Sequence, residues 1–78
     1  MTRASMSRMH FRDLAEGLES VMPHPDSNAY EAEAFIWEAC VRQVALTCRR
    51  FNTAFDSGKF YEASGYEEVE ARIVYLNR

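Results

Sequence analysis

Residues 29–51 read AYEAEAFIWEACVRQVALTCRRF, and the spacing of apolar positions in this stretch decides the fold. Tyr30, Ala34, Trp37, Val41, Val44, Cys48 and Phe51 follow one another in steps of four and three, the repeat that brings side chains onto one face of a packed helix. A second apolar strip, Phe35, Ile36, Ala39, Cys40 and Leu46, flanks this seam. The helix is therefore hydrophobic over more than the usual stripe of about 100° and needs partners on two sides. Arg49 and Arg50 fall in the last turn, where cations complement the helix dipole and the unpaired carbonyls. At the other end, Asn28 followed three residues later by Glu31 has the form of a capping box, with Asp26 and Ser27 as alternative caps.

Before this helix, Phe11, Leu14, Leu18 and Val21 recur at helical spacing, while Arg12, Asp13, Glu16 and Glu19 fall elsewhere on the wheel. An amphipathic helix is expected from Ser7 to Met22, with Gly17 inside it at a cost of about 1 kcal/mol against alanine. Pro23 and Pro25 end it, because a residue that precedes proline avoids the α region. After the long helix, Asp56 caps a short helix and Gly65 stops it, with Phe55, Phe60 and Tyr61 plugging the end of the bundle. From Tyr66 onward, Tyr66, Val69, Ile73 and Leu76 fit a helix, while Ile73-Val74-Tyr75 alone fits a strand. Helix is favoured, since a lone strand has nothing to pair with. The expected fold is all-α, a compact three- to four-helix bundle around a long central helix, one domain over 1–78 with helices over about 7–22, 29–51, 57–64 and 66–77.

At 78 residues the core is thin, because a chain of this length buries only about 60% of its unfolded surface. Hydrophobic content of 47% still marks a folded unit. The net charge of −3 supplies no overall positive field for phosphate backbones. No apolar run approaches the roughly 20 residues of a membrane span, and no apolar segment follows the N-terminal arginines, so a cytoplasmic protein without membrane attachment is expected. Cys40 and Cys48 lie roughly 12 Å apart along one helix, beyond disulfide reach, and read as free thiols packed as small hydrophobes.

Chemistry has little to stand on. His10, His24 and the two cysteines form none of the close pairs that mark zinc sites, so neither metal nor cofactor is expected. His10 and Asp13 are spaced to hydrogen-bond, the first half of a general-base arrangement, but no nucleophile joins them. An enzyme is not expected. Glu31, Glu33 and Glu38, and again Glu62, Glu67, Glu68 and Glu70, read first as solvated helix faces, with Glu38 and Arg42 paired at i, i+4. Arg3, Arg8 and Arg12 at one end, and Arg42, Arg49, Arg50 and Lys59 along the long and short helices, are the cations open to a nucleic acid.

The run from Phe51 to Tyr66, FNTAFDSGKFYEASGY, resembles the tail of small uncharacterised phage and prophage accessory proteins, in which the pattern is roughly N-P-x-F-D-x-x-x-F-x-x-x-C-G-Y. Thr53 stands where that pattern has proline and Ser64 where it has cysteine, so any role of that cysteine is absent. The resemblance implies a genomic setting, that of phage and mobile-element proteins, some of which inhibit bacterial defence complexes such as CRISPR effectors. It places no residue in an active site.

The expected function is a noncatalytic interaction factor that binds a bacterial host protein or complex and inhibits or redirects it. Tyr30, Phe35, Trp37, Glu38, Arg42, Arg49, Arg50, Tyr61 and Glu67 are the candidate partner-binding residues, since aromatics and arginines make the best interface anchors. The alternative is a small helical DNA-binding regulator. If the chain forms a homodimer, the long helix is the expected interface, and Val41→Glu should give folded monomers or an unfolded chain.

Overall fold

The computed structural model describes residues 7–76, which form four helices: α1, Arg8–Ser20; α2, Tyr30–Phe51; α3, Ser57–Ser64; and α4, Tyr66–Leu76. The fold is all-α, and among the described residues there is no strand. The segment that fitted either helix or strand is helical to Leu76; residue 77 of the expected helix and Arg3 of the basic cluster lie outside the described residues.

Helix α1 ends two residues short of the expected Met22, because the N–H groups of Val21 and Met22 bond back to the carbonyls of Leu18 and Glu19 at 3.2 Å, the tightened spacing of a closing turn. Its start is capped reciprocally: the His10 Nδ1 accepts from the Ser7 N–H at 2.9 Å, so His10 serves the helix terminus and not Asp13. The buried face is also rotated by one residue from the expected one. Ala15 is buried and Phe11, Leu18 and Met22 pack against the core, whereas Leu14 and Val21 face solvent. Ala15 has the smaller side chain, and that lets α1 lie close against α3.

Ala29 is the N-cap of α2 and gives no side-chain cap, which corrects the expected Asn28–Glu31 box. The turn before it is held by Ser27, whose hydroxyl accepts from the Ala29 N–H and whose carbonyl accepts from the Tyr30 N–H, both at 3.2 Å. Five of the seven seam residues, Tyr30, Ala34, Trp37, Val41 and Cys48, are buried. Val44 is half-buried and Phe51 is 52% exposed. The series 30, 37, 44, 51 has a seven-residue period, which drifts about 20° per heptad around a straight helix, so its last member has turned off the core.

The chain leaves α2 through Asn52, whose side-chain oxygen accepts from the Ala54 N–H at 2.9 Å, and enters α3 through Asp56, whose Oδ1 accepts from the Lys59 N–H at 3.1 Å. Gly65 ends α3 with φ +85° and α4 begins at the next residue. A side chain there is strained by the positive φ, and its Cβ would have to displace the Met22 sulfur, which lies 2.8 Å from where it would sit.

Six aromatic rings tie the helices together. Phe11 meets Phe55 edge-on at 4.7 Å, Phe55 meets Phe60 at 5.4 Å, and Phe60 touches Tyr61 at 6.5 Å. Tyr61 meets Tyr66 at 4.7 Å and Tyr66 stacks near Trp37 at 6.4 Å. Phe55 and Phe60 are buried and Tyr61 half-buried, the expected plug at one end. The Trp37 indole N–H donates to the Leu18 carbonyl at 2.8 Å, fastening the end of α1 to α2. Thus every part of the Phe55–Tyr66 pattern has a packing role: Asp56 caps, Phe55 and Phe60 fill, and buried Ser64 donates to the Tyr61 carbonyl at 3.0 Å beside the corner at Gly65.

Candidate functional site

Helix α2 has an inner and an outer face. At about 100° per residue, Tyr30, Ala34, Trp37, Val41, Ala45 and Cys48 fall within one arc, and all are buried against α3, α4 and the end of α1. The opposite arc holds Ala32, Phe35, Ile36, Ala39, Gln43, Leu46 and Arg50, all exposed. The bundle measures 19 × 15 Å across its long axis, about two helices thick, and among the described residues no helix covers this side.

The large apolar residues of the outer face are wide open: Phe35 is 70% exposed, Ile36 64% and Leu46 55%. Complete burial of such a side chain is worth about 1.5–3 kcal/mol, so covering these three from their present exposure gains roughly 1–2 kcal/mol each. Phe35 and Ile36 lie near the start of this face and Leu46 about 15 Å further along it, with exposed Ala39 and Gln43 between them. Charge is distributed along the same helix, with Glu31 and Glu33 in its first turn and Arg49 and Arg50 in its last.

The candidate residues do not form one patch. Tyr30 and Trp37 belong to the chain's own core at 6% exposure each, and the Arg72 guanidinium lies over the Tyr30 ring, 6.0 Å from its centre. Burial pushes the Tyr30 hydroxyl up, with Glu38 and Glu68 adding to the rise and Arg72 opposing it. Arg42, Tyr61 and Trp37 converge around Tyr66, whose hydroxyl accepts from Arg42 Nη1 at 2.9 Å; that bond holds the guanidinium pKa above its usual value. Phe35 stands apart on the outer face, Arg49 and Arg50 are exposed at the end of α2, and Glu67 is exposed on α4.

Glu38 departs from the expected surface pair with Arg42. Its residue is 9% exposed and its Oε2 is buried without a hydrogen-bond partner, while Arg42 is engaged by Tyr66. Desolvation raises the Glu38 pKa, Glu70 raises it further, and Arg42 only partly offsets them. The cysteines also part company: both are free, Cys48 is buried with its thiol pKa raised by desolvation, and Cys40 is exposed rather than packed. Val41 is fully buried, so Val41→Glu tests the chain's own core and not a dimer interface.

Among the described residues, no three His, Cys, Asp or Glu side chains are grouped to hold a metal ion. A shallow depression on α4, lined by Glu68, Ala71, Arg72 and Tyr75, comes from one helix and encloses nothing. His24 is a solvated turn residue whose Nδ1 accepts from the Asp26 N–H at 3.1 Å. No helix among the described residues is long and apolar enough to cross a membrane.

The apolar strip Phe35, Ile36, Ala39, Cys40 and Leu46 is legible in the sequence; Ala32 and Gln43, which extend it, are the members that sequence reasoning missed. Their signal is the spacing 32, 36, 39, 43, 46, 50, which repeats the four-three rhythm of the buried seam on the opposite side. No protein-family model, no curated protein and no solved structure matches the chain.

Proposed function

We propose that the chain is a noncatalytic protein-interaction factor whose binding surface is the outer face of α2. The observation that carries this reading is the exposure of Phe35, Ile36 and Leu46 together on one side of a helix whose other side is fully packed. A chain with so little core keeps three large apolar side chains in water at a cost to its solubility, and a partner that covers them removes that cost. The resemblance of residues 51–66 to phage accessory proteins supplies the setting: a phage or mobile-element protein acting in the cytoplasm of its bacterial host, where it inhibits or redirects a host protein such as a defence complex.

The DNA-binding alternative would use Arg42, Arg49, Arg50 and Lys59. Arg42 is engaged by Tyr66, and the exposed side of α3 carries Gly58, Lys59, Glu62 and Ala63, one cation and one carboxylate. That composition weighs against α3 as a base-reading helix.

The test is a pull-down of the tagged chain from nuclease-treated bacterial lysate at low and high salt, with Leu46→Glu beside the wild type. A stoichiometric protein partner that resists nuclease and is lost with Leu46→Glu supports the reading. Recovery of nucleic acid alone, released by salt, would replace it with the regulator.

A further inference from the structure

The outer seam of α2 reads the same in both directions. Positions 32, 36, 39, 43, 46 and 50 are separated by four, three, four, three and four residues, with residue 41 at the centre. An antiparallel copy laid on that centre sets Ile36 against Leu46 of the second copy, Ala39 against Gln43, and Ala32 against Arg50. We infer that the outer face of α2 is covered by a second copy of this chain, packed antiparallel about the level of residue 41. This inference rests on the outer face being a protein-binding surface, and it makes the homodimer the resting state that a host partner displaces.

Charge selects both the copy and its direction. Glu31 and Glu33 occupy the first turn of α2, and Arg49 and Arg50 the last. Antiparallel packing brings Glu31 of one chain across from Arg49 of the other, on the same edge of the contact, and opposes the two helix dipoles. Parallel packing would set acid against acid and base against base. Arg42 is the flanking cation that would meet its own counterpart near the two-fold axis, but its Nη1 is drawn to the Tyr66 hydroxyl of its own chain at 2.9 Å. Ala39, next to the axis, keeps the helices close.

The size of the contact sets its strength. From Ala32 to Arg50 the seam runs about 27 Å at 1.5 Å per residue. It is a single helix face, so the area lies below the roughly 800 Å² per partner of a standard interface. A dimer with dissociation in the micromolar range is the expected consequence.

Cys40 provides a register-specific probe. It is exposed, whereas Cys48 is buried, and in the antiparallel arrangement both Cys40 thiols lie on the same edge one residue from the axis. The experiment is sedimentation equilibrium of the full chain from about 1 to 200 µM, spanning dissociation constants in that range, with short bis-maleimide cross-linking of Cys40 in parallel. The wild type is expected to dimerise and to cross-link through Cys40. Leu46→Glu, at an exposed site that leaves the helix content intact, should weaken association at least about 100-fold by burying a carboxylate. Glu31→Arg should weaken it several-fold, and adding Arg49→Glu should restore it to within about threefold. A chain monomeric throughout, a dimer indifferent to Leu46→Glu, or a dimer that does not cross-link at Cys40 overturns the proposal. If the monomer still captures a protein through Leu46, the second copy fails and the binding surface stands; if Leu46→Glu changes neither association nor capture, both fail.

Discussion

The two faces of α2 are made from similar material and have opposite fates. The inner face combines Tyr30 and Trp37 with small residues, and Ala34, Val41 and Cys48 are at 0% exposure. Those small residues leave room for rings arriving from elsewhere in the chain: Phe55, Phe60 and Tyr66. The outer face carries Phe35, Ile36 and Leu46, and none of the described helices covers them. Hydrophobicity alone therefore does not say which face is core. What separates them is the supply of partners, because α3 and α4 are short and each can cover only one side of α2.

The sharpest way to break this comparison is to place the same charge on each face. Val41→Glu buries a carboxylate at a site with no solvent and no partner, and it is expected to cost more than about 4 kcal/mol and unfold the chain. Far-ultraviolet circular dichroism would register the loss of helix. If Val41→Glu stayed folded, the inner face would not be the core.

Next in size is the corner that lets α3 and α4 both reach α2. Gly65→Ala forces a side chain into φ +85° and against the Met22 sulfur, so a loss of more than about 1 kcal/mol is expected in urea denaturation. A neutral result would mean that the α3–α4 corner is free to move away from α1.

A smaller effect, of opposite sign, is expected at Glu38. Its pKa is raised in the folded state, so its favourable contribution is complete below the unfolded pKa and is lost as pH rises through the folded value. At neutral pH the buried, unpartnered Oε2 is a liability. Glu38→Gln should therefore stabilise the chain by about 1 kcal/mol at pH 7 and by less at pH 4. Equal gains at both pH values would show that the charge is not the cause.

Much of this organisation was legible in the sequence. The long helix, its charged ends, the stop at Gly65 and the plug of Phe55 and Phe60 follow from spacing and capping chemistry, which act within a few residues. The rotation of α1 onto Ala15 was not legible, because Leu14 and Ala15 lie on either side of the Phe11–Leu18 line and the choice between them depends on how near α3 comes. Asn28 lost the capping position to a turn built by Ser27, another local donor and acceptor set of similar strength. The apolar strip of the candidate site was visible, as was its need for a partner. That none of the described helices covers it depends on their number and length, and so on tertiary structure.

The most direct test of the central claim is the thermal melt of Leu46→Glu, measured by circular dichroism at a concentration low enough to keep the chain monomeric, alongside its partner capture. Leu46 is 55% exposed, so the variant should melt within a few degrees of the wild type while losing capture. A melting temperature that falls as far as that of a core variant, or capture that survives unchanged, would contradict the division of α2 into a folding face and a binding face.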